Sequence, residues 1–193
     1  MSASSHPLHT IKVIVLGDSS TGKTAILHKY LHDEFSDNVQ TTIGIDFFYK
    51  VFTMPDGSRA RLQVWDTAGQ ERFRQLMPSY IREAAVALLV LQRWMQAIQR
   101  ERGDKTIIIL VGNKCDRYEL RAVSLEDAEA FCSEYGPMPY VETSAKSGEH
   151  VMDLFDLLMS LPIEPPTSPS GKGRNDSIIL KSAEAEADGA CAC

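Results

Sequence analysis

The chain has 193 residues, is 44% hydrophobic and carries a formal net charge of −6. That is enough apolar content for one compact domain with a core, while the acid excess and the lack of a basic stripe argue against a nucleic-acid binder. No apolar stretch approaches the ~20 residues that span a bilayer, and polar Met1–Thr10 lacks the apolar centre of a signal peptide, so a cytosolic chain with reduced thiols is expected.

Strands are expected at 11–16, 46–54, 59–65, 86–91, 106–111 and 139–142. Helices are expected near 23–32, 92–102, 124–135 and 149–160, with a short one near 71–78. Pro55-Asp56-Gly57 separates two strand-like runs and reads as a hairpin turn. Ser124-Leu125-Glu126-Asp127 reads as a helix N-cap with acid in the first turn. The remaining strands alternate with helices. The expected fold class is therefore α/β: a mostly parallel six-stranded sheet with one antiparallel strand and helices on both faces. Composition changes at Leu161. Residues 1–10 are expected as a flexible N-terminus, 11–161 as one domain, and 162–193 as a flexible tail rich in Pro, Ser and Gly at its start.

Gly17-Asp18-Ser19-Ser20-Thr21-Gly22-Lys23-Thr24 follows the first strand and opens the first helix. It matches G-x-x-x-x-G-K-[ST], the phosphate cradle of P-loop NTPases. Glycines let the backbone wrap tightly with successive N–H groups pointing at an anion, and the helix adds its positive end. In that setting Lys23 reaches the β- and γ-phosphates and the Thr24 hydroxyl ligates Mg²⁺. The bland alternative is a glycine turn before a helix.

Trp65-Asp66-Thr67-Ala68-Gly69-Gln70-Glu71 follows the third strand. Asp66, at a strand end, is placed to hold Mg²⁺ through its water shell, Gly69 can bring its N–H close to a γ-phosphate, and Gln70 can orient a water for in-line attack. A simple turn cap is the alternative for Asp66-Thr67.

Asn113-Lys114-Cys115-Asp116 ends the apolar run 107–111. Guanine presents two adjacent donors that one carboxylate, Asp116, can accept together. Adenine would leave that carboxylate poorly paired, which discriminates strongly against it. Glu142-Thr143-Ser144-Ala145-Lys146 follows the last strand, and its backbone can close over the same base.

With these four motifs in order, the chain resembles a small GTPase of the Ras superfamily and, more narrowly, a Rab. The resemblance implies Mg²⁺ and bound GTP or GDP, slow hydrolysis of GTP, and roles for particular residues. Ser19, Ser20, Thr21, Gly22, Lys23 and Thr24 match the phosphate loop, and Phe35 matches the aromatic that stacks on guanine. Thr42 matches the threonine of the first switch (about 36–48), which binds Mg²⁺ with Thr24 and Asp66. Gly69 and Gln70 match the second switch (about 66–80). Asn113, Lys114, Asp116, Ser144, Ala145 and Lys146 match the base-binding set. Lys23 and Gln70 match the catalytic pair.

The Rab likeness rests on Ile43-Gly44-Ile45-Asp46-Phe47, on Trp65–Glu71 and on the Cys191-Ala192-Cys193 ending. Arg61–Trp65, Met77–Arg82 and Gln99–Gly103 resemble the Golgi-associated branch, which acts in retrograde Golgi-to-ER and intra-Golgi traffic. The implied partners are an exchange factor, a GTPase-activating protein, a GDP-dissociation inhibitor, a Rab escort protein and effectors at both switches. The implied location is the cytoplasmic face of Golgi membranes, in exchange with the cytosol. Geranylgeranyl groups on Cys191 and Cys193 would supply the two chains that stable anchoring takes. Unmodified thiols or half a metal site are the alternatives there.

The chain departs from the family after Leu91. About eleven residues of the usual pattern are absent, and a crossover with its helix needs at least ~10–12 residues. Only about fourteen lie between Leu91 and Thr106, so strand and helix must turn sharply. This implies a shortened form of lower stability. The alternative function is an interaction protein with impaired turnover. His28 and His32, one helical turn apart, have a spacing that can bind zinc but are expected on the surface; Trp94 and Met95 are expected in the core, as are Cys115 and Cys132.

Overall fold

A computed structural model describes residues 9–37, 42, 44–53, 59–69, 77–90, 94–102, 105–136 and 138–163. Gln70, Cys191, Cys193, the 55–57 turn and residues 91–93 lie outside the described residues, as do 1–8 and most of the tail.

The strands are β1 (His9–Leu16), β2 (Ile45–Thr53), β3 (Arg59–Thr67), β4 (Val86–Leu89), β5 (Ile107–Asn113) and β6 (Tyr140–Thr143). They form one sheet in the order β2-β3-β1-β4-β5-β6. Only β2 and β3 pair antiparallel; β1 pairs parallel with β3 and β4, and β5 parallel with β4 and β6. This is the α/β architecture expected from the sequence. Its central strands read as continuous apolar runs because both faces are covered. Val13, Ile14, Val15 and Leu16 are all buried, two on each face.

Helices α1 (Lys23–His32) and α5 (Val151–Ser160) cover one face. Ile26, Leu27, Leu154, Phe155 and Leu158 pack there against Val13, Val15, Leu62 and Val64. Tyr30 stacks on Phe155 with ring centroids 3.6 Å apart. Helices α2 (Met77–Ile81), α3 (Met95–Arg102) and α4 (Leu125–Tyr135) cover the other. Ile81, Trp94, Met95, Ile98 and Ala128 pack there on Ile14, Leu16, Leu89 and Leu110. Ser124 caps α4, with its hydroxyl accepting from the Asp127 N–H at 3.0 Å and the Asp127 carboxylate returning to the Ser124 N–H.

Two expectations need correction. The short helix runs to Ile81 rather than ending at 78, while residues 71–76 of its expected span lie outside the described residues. Helix α3 is described from Met95 to Arg102, and residues 92–93 of its expected start lie outside the described residues. Cys115 and Cys132 are only half-buried, at the margin of the core. Trp94 and Met95 are buried as expected.

The short connection after β4 does not open the sheet. Val86–Leu89 pair residue for residue with Val13–Leu16 on one side and Ile107–Leu110 on the other. The Val90 N–H continues the ladder to the Leu16 carbonyl at 2.7 Å.

Candidate functional site

The loops after β1, β3, β5 and β6 meet at the carboxyl edge of the sheet, where open α/β folds bind ligands. Ser20 and Gly22 of the glycine loop have positive φ, 64° and 92°. A Cβ on Gly22 would also overlap the Asn113 side-chain amide, so glycine is required there for both conformation and space. Lys23 is buried and its Nζ donates to the Asp18 carbonyl at 2.8 Å. Burial holds its pKa below the ordinary lysine value, opposed by the charges of Asp66 and Asp18.

Beside Lys23, Thr24 from α1, Thr42 and Asp66 from β3 converge. The Thr24 and Thr42 hydroxyls are 2.8 Å apart, and Thr24 Oγ1 donates to Asp66 Oδ2 at 2.5 Å. Asp66 is fully buried, and its second oxygen, Oδ1, has no hydrogen-bond partner among the described residues. Burial raises its pKa, offset in part by the Thr24 hydrogen bond and by Lys23. An unpaired buried carboxylate oxygen beside two hydroxyls is a costly arrangement without a ligand. Such hard oxygen donors fit Mg²⁺. Thr67 supports the cluster through a 2.7 Å bond from its hydroxyl to the Val15 carbonyl.

Gly69 lies against the glycine loop, where a Cβ would run into the Asp18 and Ser19 backbone. The neighbouring Ala68 N–H donates to the Gly44 carbonyl at 2.9 Å, which ties the end of β3 to the start of β2.

The β5 loop braces the phosphate loop from outside. Asn113 Nδ2 donates to the Thr21 carbonyl at 2.9 Å, and Lys114 Nζ to the Ser20 carbonyl at 2.6 Å. Asn113 Oδ1 accepts from Thr143 Oγ1 and from the Ala145 N–H, both at 3.2 Å. Ser144 Oγ donates to Asp116 Oδ1 at 2.7 Å and accepts from the Ser147 N–H at 3.0 Å. The Asp116 carboxylate is thus oriented by one hydroxyl, with its other oxygen left to accept. Lys146 and Phe35 are exposed.

Sequence reasoning missed the Arg121–Glu142 pair, whose two guanidinium–carboxylate bonds measure 2.6 and 2.9 Å. Arg121 holds the Glu142 carboxyl below its ordinary pKa, and the pair braces the loop between the base motif and α4. No local pattern joins two residues so far apart in the chain. His28 and His32 touch only edge to face, at 5.8 Å, and no cluster of three metal-ligating side chains occurs among the described residues.

The family comparison agrees with this geometry. Residues 12–162 match the Ras family. The chain therefore belongs to the Ras family of small GTPases, whose members bind GTP and GDP, typically with Mg²⁺, and generally hydrolyse GTP.

Proposed function

We propose that the protein is a Mg²⁺-dependent guanine-nucleotide switch that hydrolyses GTP slowly on its own. The observation that carries this is the Thr24–Thr42–Asp66 cluster with its unpartnered carboxylate oxygen. Mg²⁺ bound there would neutralise charge on the phosphates. Ser19, Ser20, Thr21 and Gly22 would offer backbone N–H groups to the phosphates, and Lys23, now spent on a carbonyl, would turn to the terminal ones. Asp116 would accept both guanine donors; Lys114, Phe35, Ala145 and Lys146 would enclose the base. Gln70 would orient the attacking water. Thr42 and Gly69, from two separate segments, would each sense the γ-phosphate, so that its loss releases both.

The finer reading is a Rab-type switch in Golgi traffic. Its support is the residue pattern at 43–47, 61–71, 77–82 and 99–103, with Cys191 and Cys193 as lipid attachment points. A surface suited to effectors supports it too. Phe47, half exposed, lies edge-on to Trp65 at 4.2 Å, and Trp65 lies 4.9 Å from Tyr80, beside both switch segments.

The test is to purify the protein, denature it and identify the released nucleotide. GDP or GTP near one per chain is expected. An empty protein that also takes up no added GDP would instead favour the interaction-only role.

A further inference from the structure

A cavity of about 490 Å³ is lined by the end of β5, Val90 just after β4, the 117–123 segment and Ala128 of α4, together with Asn113, Lys114 and Cys115 of the base loop. Val90, Leu110 and Ala128 form an aliphatic floor there, and Leu120 and Val123 form an exposed apolar mouth. Ligand pockets typically hold about 300–1,000 Å³. At about 30 Å³ per water-sized unit, this one suits a ligand of roughly sixteen heavy atoms or fewer.

The polar groups at the mouth are unequal. Arg121 is committed to Glu142, and Tyr140 Oη donates to the same carboxylate at 2.8 Å. Lys114 is committed to Ser20. The Arg117 guanidinium has no hydrogen bond or ion pair among the described residues, although Arg117 lines the cavity. We propose that this cavity binds an aliphatic monoanion of medium chain length, its hydrocarbon against Val90, Leu110 and Ala128 and its anionic head on Arg117. Aliphatic lining gains from burial of any hydrocarbon, and a planar cation with free donors favours a carboxylate.

Ser20 and Thr21 of the phosphate loop also line the cavity. Occupancy therefore bears on the strand of loop that Lys114 and Asn113 brace. The binding claim stands on the cavity alone, while its regulatory sense rests on the nucleotide reading above.

The experiment is calorimetric titration of the full chain with decanoate, with decanol and butyrate as controls. One saturable decanoate site is expected, with decanol weaker and butyrate silent. Arg117→Ala should weaken decanoate roughly twofold to fivefold, the range for an exposed charge contact, and leave decanol unchanged. Ala128→Phe should abolish binding by filling the floor. If its circular dichroism shows that it does not fold, Val123→Asp at the exposed mouth serves instead and should repel the anion. Decanoate should also change the rate of GDP release at least twofold. No saturable binding, or binding indifferent to Arg117→Ala and to both cavity variants, overturns the site. Binding with unaltered GDP release overturns the coupling. The calorimetry reads the site even in a protein that carries no nucleotide.

Discussion

Asn113 is read from sequence as a base-binding residue, yet the structure spends three of its hydrogen-bonding positions inside the protein. Asn113→Ala should therefore destabilise the fold even without nucleotide. It removes the bond to the Thr21 carbonyl at 2.9 Å and two bonds accepted at 3.2 Å from Thr143 and the Ala145 N–H. Each is worth about 1 kcal/mol. Thr143 and Ala145 are fully or almost fully buried, so their donors are left without water in exchange. A loss of about 3 kcal/mol follows, a large share of a typical 5–15 kcal/mol total. For a domain of this size that lowers Tm by roughly 6–12 °C. The assay is a circular dichroism melt of wild type and variant, both stripped of nucleotide with EDTA. Asn113→Asp keeps an acceptor for Thr143 and Ala145 but loses the donor to Thr21, and should fall between the two. A stripped Asn113→Ala protein melting within about 2 °C of wild type would refute the bracing role and leave Asn113 as a ligand contact only.

Asp66→Asn should cost roughly 10–100-fold in Mg²⁺ affinity, the usual scale for groups that orient a metal's shell. Because burial raises the Asp66 pKa, wild-type Mg²⁺ affinity should begin to fall, as pH drops, above the ordinary carboxylate range near 4; Mg²⁺ titrations that decline at the same pH in the Asn variant would count against this assignment. Gly69→Ala places a methyl group on the Asp18–Ser19 backbone, should cost about 1–3 kcal/mol and should slow GTP hydrolysis; a variant with wild-type melting and turnover would contradict the close approach. The Cys115 thiol, pushed up to about 11 by burial and by the nearby Glu149 charge, should alkylate slowly at pH 8 and faster as pH rises towards 11, read by peptide mass spectrometry. Rapid labelling at pH 7 would show the thiolate is accessible.

Much of this was legible in the chain. The glycine loop lies where strand, loop and helix patterns place it, because hydrophobic period and glycine spacing are local signals. Strand ends were less legible. β3 runs to Thr67 and β5 to Asn113, beyond the apolar residues, because Thr67 pairs with Ile45 and Asn113 with Thr143. Partner strands set those ends, and no local pattern announces a partner. The same limit hid the double role of Asn113, whose contacts lie 92 and 30 residues away. The motif marks a residue that matters without saying whether it serves the ligand or the protein.

That distinction explains how the site geometry coexists with a shortened crossover. Lys23 and Thr24 open α1 beyond β1, and Asp66, Asn113 and Ser144 stand at the ends of β3, β5 and β6; none of them lies on α3. They are fixed by bonds between loops: Thr24 to Asp66, Asn113 to Thr21, Lys114 to Ser20, and Ser144 to Asp116. The shortened crossover expected from the sequence would reduce the apolar cover on the α3–α4 face while leaving these cross-links in place. The expected penalty is lower global stability through a less complete core, with the relative positions of phosphate loop and base loop retained. Heating should then unfold the α3–α4 face before the loops lose their mutual bonds, an order that amide exchange at Ile98 and Ala128 against Val15 and Val64 would resolve.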